Sequence, residues 1–153
     1  MVRVLFVCLG NICRSPMAEA VFIHKVRKAA LTEAITADSA GTGHWHIGNP
    51  AHEGTLRLLR QKNIDCIHRA RQIDETDLEI FDYVITMDDD NLANVRAMGP
   101  SRAIVRPLME YAPETGVAEV PDPYYTGGFP EAFRLIDAAT DGLLAAIRRE
   151  HNL

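Results

Sequence analysis

Three residue types in this chain are suited to attack and hold a tetrahedral oxyanion, and two of them sit in one short segment. Cys8-Leu9-Gly10-Asn11-Ile12-Cys13-Arg14-Ser15 follows an apolar run and precedes a proline-led helical pattern. A loop between a strand and a helix N-terminus points several backbone N–H groups at one spot, beside the positive end of the helix dipole. Such a nest binds oxyanions. It also favours the anionic form of a sulfur at its start, which makes Cys8 a nucleophile without a histidine base. Gly10 and Asn11 suit the backbone conformations that the turn demands. Arg14 is expected to clamp two equatorial oxygens with its planar fork and to keep that grip as charge spreads. Ser15 is within reach of the Cys8 sulfur and can help it leave. Leu9, Gly10, Asn11, Ile12, Cys13 and Ser15 are therefore the expected anion-binding residues. A Cys and an Arg six positions apart also arise by chance, and most cysteines are buried packing residues. Gly10, Asn11, Ser15, Pro16 and the strand–loop–helix setting are what turn the balance.

The elements that must position this loop are legible around it. Val2–Val7 is a β-branched run, read as a buried strand. Ser15-Pro16 looks like a helix start, with Ser at the N-cap and Pro at the first helical position, and the helix runs to about Ala30. Met17, Ala20, Val21 and His24 are expected on one side of it. Ile35–Ser39 reads as a second strand, followed by a Gly-rich loop from Gly41 to Pro50. Glu53–Gln61 is a helix stopped at Asn63, and Asp74-x-x-Asp77 opens a short one. Phe81–Thr86 is a strand, Asp88–Met98 a helix ended by Gly99-Pro100, and Ala103–Arg106 a last short strand. Pro107–Gly128 is a long loop of the kind that is usually functional. Phe129–Glu150 is an amphipathic helix with Phe133, Ile136, Leu143, Leu144 and Ile147 facing in. Alternating strands and helices predict an α/β fold, a three-layer αβα arrangement of a four-stranded parallel sheet with helices on both faces. Ligands of such sheets sit at the carboxyl ends of the strands, where the Cys8 loop lies.

The 153 residues fit one domain spanning 1–153, with 47% apolar and 24% charged residues. A net charge of −5 and the absence of a basic stripe argue against nucleic acid as a partner. The longest apolar stretch, Val4–Leu9, is too short to cross a bilayer, so no membrane insertion is expected. With no secretory cleavage pattern the expected location is cytoplasmic. Three cysteines, Cys8, Cys13 and Cys66, without C-x-x-C spacing, speak against both a disulfide framework and a zinc site. His44, His46 and His52 have no carboxylate or cysteine at ligand spacing, so neither a metal nor another cofactor is expected.

Val7 to Ala20, Val-Cys-Leu-Gly-Asn-Ile-Cys-Arg-Ser-Pro-Met-Ala-Glu-Ala, resembles the N-terminal signature of low-molecular-weight protein tyrosine phosphatases. Asp38-Ser39-Ala40-Gly41-Thr42, Trp45, His68-x-Ala70-Arg71-Gln72, Met87-Asp88 and Asp122-Pro123-Tyr124-Tyr125 continue the resemblance in the family's order, over nearly the whole chain. It implies hydrolysis of phosphotyrosine and small aryl phosphates through a phosphocysteine on Cys8. Asp122, stiffened by Pro121 and Pro123, is then the general acid and afterwards the base, a role that an Asp-Pro turn would not carry by itself. Trp45 and Tyr124 resemble the walls of the family's cleft, whose flat sides suit an aryl group; either residue alone could equally be core. Asn11, Ser39 and His68 resemble the polar network that supports the loop. Cys13 resembles the second thiol that pairs reversibly with the nucleophile, which would make the site redox-sensitive. The implied partners are a phosphotyrosine protein, a tyrosine kinase being one option, and inorganic phosphate as product.

Three rival readings have discriminating features. A thioredoxin-coupled arsenate reductase shares the fold but needs two further cysteines, and only Cys66 remains outside the loop. A phosphoarginine phosphatase resembles this loop with Thr in the place of Ile12. A silent anion-binding or redox-sensing module would need neither nucleophile nor acid, yet Cys8, Arg14 and Asp122 are all intact.

Overall fold

The computed structural model describes residues 1–153. Four parallel strands, β1 (Val2–Cys8), β2 (Ile35–Gly41), β3 (Tyr83–Thr86) and β4 (Ile104–Pro107), form one sheet in the order β2-β1-β3-β4. The helices are α1 (Arg14–Lys28), α2 (Glu53–Gln61), α3 (Asp77–Ile80), α4 (Asp89–Ala97), α5 (Pro123–Thr126) and α6 (Phe129–His151). This is the expected α/β architecture.

Strand β1 is central because its side chains are apolar on both faces, the pattern of a buried parallel strand. Val4, Phe6 and Cys8 pack with Met17, Val21 and Phe22 of α1 and with Leu135, Ile136, Leu143 and Ile147 of α6. Leu5 and Val7 turn the other way, onto Ile73, Leu78, Phe81 and Val95. Helices thus cover both faces. The chain leaves β1 toward β2 on one side and reaches β3 on the other. Cys8 therefore ends the strand at the point where the winding reverses, which is where such sheets open a crevice.

Several boundaries differ from expectation for identifiable reasons. Phe81 closes α3 in an extended conformation and plugs the second core cluster, so β3 begins only at Tyr83. His24 stays at the rim of α1, while Ala18 and Phe22 take the inward positions. On α6 the fully buried residues include Leu135 and Ala139, with Phe133 and Leu144 only half-buried at the edge of that core. The segment Pro107–Gly128 is more ordered than a loop: it holds 3-10 turns at Leu108–Tyr111 and Pro113–Thr115, and then α5. Leu108, Met109, Ala112 and Val120 fasten it to the main core, which fixes the approach to Asp122. No helix is long and apolar enough to cross a membrane.

Candidate active site

The loop after β1 is held by its carbonyls and keeps its amides free. The Cys8 and Leu9 carbonyls accept from Thr42 and Gly43 at 2.9 and 2.8 Å, and the Ile12 carbonyl accepts from His52 at 2.7 Å. The Asn11 carbonyl takes the His68 Nε2–H at 2.6 Å, and the Cys13 carbonyl takes the Thr55 hydroxyl at 3.1 Å. None of the backbone N–H groups from Leu9 to Ser15 is bonded to a backbone carbonyl. With these five carbonyls fastened to neighbouring segments, the amide face of the loop is left as an array of donors at the start of α1.

Two expectations about this segment change. Helix α1 starts two residues early, at Arg14, with Cys13 in the cap position and no side-chain cap. The Ser15 hydroxyl does not cap the helix because it is engaged by Asn11 and the Cys8 sulfur. Gly10 does not take a left-handed conformation; that belongs to Asn11, at φ 57°. A Cβ at position 10 would stand 3.0 Å from the His46 ring, so a larger residue there would press on that side chain. Gly41 is a tighter case, since a Cβ would meet the Leu9 carbonyl oxygen at 2.8 Å.

Asn11 is fully buried and organises the site through hydrogen-bond direction. Its Oδ1 accepts the Arg71 N–H at 2.9 Å, which fixes Nδ2 as the donor to both Ser15 Oγ at 2.8 Å and Ser39 Oγ at 3.0 Å. Ser15 Oγ lies 3.0 Å from Cys8 Sγ. Ser39 donates onward to Glu19 Oε1 at 2.6 Å. Burial raises the Glu19 carboxyl to about 7, opposed by the Ser39 bond and reinforced by Asp38. Burial pushes His68 the other way, below its ordinary value. Ser39 and His68 lie behind the loop, bonded to Asn11. Glu19 and Arg71 complete the group. Glu19 lies within the signature, but nothing in its spacing foretold a half-buried carboxyl.

Arg14 is 2% exposed. Its Nη1 donates to Asp88 Oδ2 at 2.7 Å and to the Val120 carbonyl at 2.9 Å, while Nη2 lies 3.4 Å from Asp122 Oδ2. Its buried Nε has no acceptor in the protein. One corner of the guanidinium is thus anchored and the Nε–Nη2 edge keeps the fork that an oxyanion takes bidentately. Burial works against the Arg14 charge, but Cys8, Asp88 and Asp122 outweigh it and push its pKa up. Asp88 caps α4 through a reciprocal pair with Asn91, which sets the carboxylate that grips Arg14.

Cys8, Leu9, Gly10, Ile12, Cys13, Trp45, His46, Asp122, Tyr124 and Tyr125 line one cavity of about 300 Å³. Asp122 caps α5 by accepting the Tyr124 N–H at 3.1 Å. Trp45 is 64% exposed and stacks on His44, so it belongs to the wall rather than the core. Tyr124 stands between His46 and His52, each ring centroid 6.0 Å away, and His52 stacks in turn on Phe129 at 5.1 Å. His46 and Tyr125 are wall residues that the sequence reading missed. The Tyr125 signal was its neighbour Tyr124; His46 had none beyond lying next to Trp45. The three histidines of this region serve as aromatic surfaces and, for His52, as the N-cap of α2. Cys13 is buried beside Cys8, and burial, with Cys8 and Asp122 adding, pushes its thiol up to about 12. It stays neutral at physiological pH.

The family model for low molecular weight phosphotyrosine protein phosphatase matches residues 3–153. The chain is 49% identical to the low molecular weight protein-tyrosine-phosphatase YfkJ of Bacillus subtilis, covering all of both chains. It is 48% identical to a low molecular weight phosphotyrosine protein phosphatase of Schizosaccharomyces pombe, over 89% of this chain and 91% of that one. The crystal structure of YfkJ matches with a TM-score of 0.96 over 99% of this chain and 97% of its own. A Drosophila arginine phosphatase, 33% identical, matches with a TM-score of 0.89 over 95% of this chain and 97% of its own. With the amide nest, the anchored arginine and the carboxylate across the cavity all in one crevice, the chain belongs to the low molecular weight phosphotyrosine protein phosphatase family.

Proposed function

We propose that this protein hydrolyses phosphotyrosine in protein substrates, and small aryl phosphates, by way of a phosphocysteine on Cys8. The phosphoryl group lies in the Leu9–Ser15 nest with two oxygens on the Arg14 fork. The Cys8 thiolate attacks phosphorus in line; the S–P bond forms as the P–O bond to the phenol breaks. Asp122 gives its proton to the departing oxygen. The resulting carboxylate then takes a proton from water as that water attacks phosphorus, the S–P bond breaks, and Cys8 leaves as thiolate with the help of the Ser15 hydroxyl. Inorganic phosphate is the product.

The observation that carries this reading is Arg14: a buried guanidinium fixed at one corner by Asp88 and Val120, with a buried Nε that no protein group takes up beside Cys8. A merely structural arginine would have its donors satisfied. The exposed Trp45 and Tyr124 sides of the cavity favour an aryl ester over a short phosphoserine. Turnover of p-nitrophenyl phosphate at mildly acidic pH tests it, with activity expected without added metal, insensitive to EDTA and inhibited by vanadate. A requirement for a divalent ion, or undiminished turnover by Cys8→Ser, overturns it.

One second reading has a specific support, the likeness to an arginine phosphatase. Ile12 on the cavity wall speaks for the aryl substrate, because an apolar side chain offers a guanidinium no acceptor. Initial rates on matched phosphotyrosine and phosphoarginine peptides decide it, and faster turnover of phosphoarginine reverses the assignment.

A further inference from the structure

Trp45 lines the cavity while most of its side chain faces solvent, and what seats so exposed an indole is a glycine two residues earlier. A Cβ on Gly43 would stand 1.9 Å from Trp45 Cζ3, 2.4 Å from Cε3 and 2.8 Å from Cη2. The six-membered ring thus rests on the Gly43 backbone, in space that any side chain at position 43 would take. The His44 imidazole stacks on the same indole, with ring centroids 5.4 Å apart and planes 21° apart.

The backbone beneath the ring is fastened on both sides of Trp45. The Gly43 N–H donates to the Leu9 carbonyl at 2.8 Å, one of the bonds that hold the phosphate loop. The Gly48 N–H donates to the Ala70 carbonyl at 2.8 Å, and between these anchors the Asn49 N–H closes a turn on the His46 carbonyl at 2.9 Å. Gly43 is not among the glycines of positive φ, so its backbone suits an alanine as well. A methyl group at position 43 would therefore meet the indole and nothing else that resists it. The ring would have to move.

We propose that Gly43 is a positioning residue for the substrate: it seats the Trp45 wall, and through that wall it sets the preference of the site for aryl esters. This inference rests on the phosphotyrosine reading of the cavity. Contacts between flat rings depend on where each ring lies, so an aryl group gains most from a wall already in place. A side chain that must be ordered on binding takes back part of that gain. Gly43 and His44 order the indole beforehand. The phosphoryl group meets the loop amides and Arg14, so the glycine acts on the aryl half of the substrate alone.

Gly43→Ala tests this with three readouts. Trp45 is the only tryptophan, and with its seat gone its fluorescence should be quenched more strongly by acrylamide. KM for phenyl phosphate should rise about 2- to 10-fold with kcat little changed, the size of one lost aromatic contact. The inhibition constant of inorganic phosphate, which has no ring, should stay the same. In a Trp45→Ala background the same substitution should add nothing to KM, because the group it acts through is gone. A glycine needed only for the fold would instead show its full effect with or without the indole. Unaltered quenching, a phosphate inhibition constant that rises together with KM, or an undiminished effect in the Trp45→Ala background each overturn the proposal. A parent protein that turns over no phosphate ester sinks the phosphatase reading and the aryl preference with it. Quenching still decides the seating of Trp45 in that case, stronger quenching upholding it and unaltered quenching ending it.

Discussion

Ser15 Oγ sits 3.0 Å from Cys8 Sγ, and against a thiolate the serine hydroxyl is the donor in that contact. Asn11 Nδ2 donates to the same oxygen from the other side, at 2.8 Å, which leaves the hydroxyl hydrogen for the sulfur. A hydroxyl that points at sulfur stabilises the thiolate both as nucleophile and as leaving group. A hydrogen bond to a charged group is worth about 1.5–3 kcal/mol. Ser15→Ala should therefore slow kcat by about 10- to 100-fold. Release of phosphate from the phosphocysteine should become limiting, seen as a burst of p-nitrophenol in rapid mixing. A loss confined to KM, with no burst, would remove Ser15 from this role.

Asp88 and Arg14 meet across 74 positions of sequence, and the pair fixes one corner of the guanidinium. Asp88→Asn keeps the cap of α4 but weakens the grip on Arg14. It should raise KM and the inhibition constant for free phosphate by about 10-fold or more, in line with losing a charge-assisted contact. Arg14→Lys should be far more severe, because a point charge cannot reproduce the fork. Equal, small effects for both variants would mean that the anchored corner is irrelevant.

Asp122 faces the cavity from its place at the start of α5, where the Tyr124 amide and the Arg14 guanidinium hold its two oxygens. Asp122→Ala should lower kcat on phenyl phosphate by about 10²–10⁴-fold. Esters of more acidic phenols should suffer less, since their leaving groups need no proton. A plot of log kcat against leaving-group pKa should steepen in the variant, and an unchanged slope would assign the acid elsewhere.

Glu19 makes stability depend on pH with a definite sign. Its folded carboxyl is raised to about 7, above the value in the unfolded chain, so the folded state holds the proton more tightly. Stability is then highest below the ordinary carboxylate range and falls as pH rises toward 7, with the full penalty present above it. The difference amounts to at most about 3 kcal/mol. Glu19→Gln retains an acceptor for Ser39 and removes the charge. It should flatten the decline in Tm between pH 5 and 8 and raise Tm at pH 8 by several degrees. A variant that melts lower than the parent at pH 8 would contradict the sign.

Much of this site was legible because its determinants are local. The nest needs a strand end, a turn-tolerant Asn11 and a helix start within eight residues, and all are adjacent in the chain. The order of strands and helices followed from hydrophobic period in the same way. The N-cap was misread for an equally local reason. Ser15-Pro16 carries the usual cap pattern, but the Ser15 hydroxyl is drawn instead to Asn11 and the Cys8 sulfur. The freedom ascribed to Gly10 belongs to Asn11, because what limits position 10 is a His46 ring 36 residues away.

By itself the chain determined the chemistry available: a thiol at the head of a nest, an arginine at its foot, a parallel sheet to carry them, and an aspartate pinned between two prolines. Local dihedral preference and hydrophobic periodicity are enough for that, since both act over a few residues. Only the tertiary structure decided which groups Arg14 leans on, which way the Asn11 hydrogens run, and that Glu19 ends as a half-buried carboxyl behind the loop. Those outcomes depend on desolvation and on hydrogen-bond direction between segments tens of residues apart, and no spacing along a single strand of sequence encodes either.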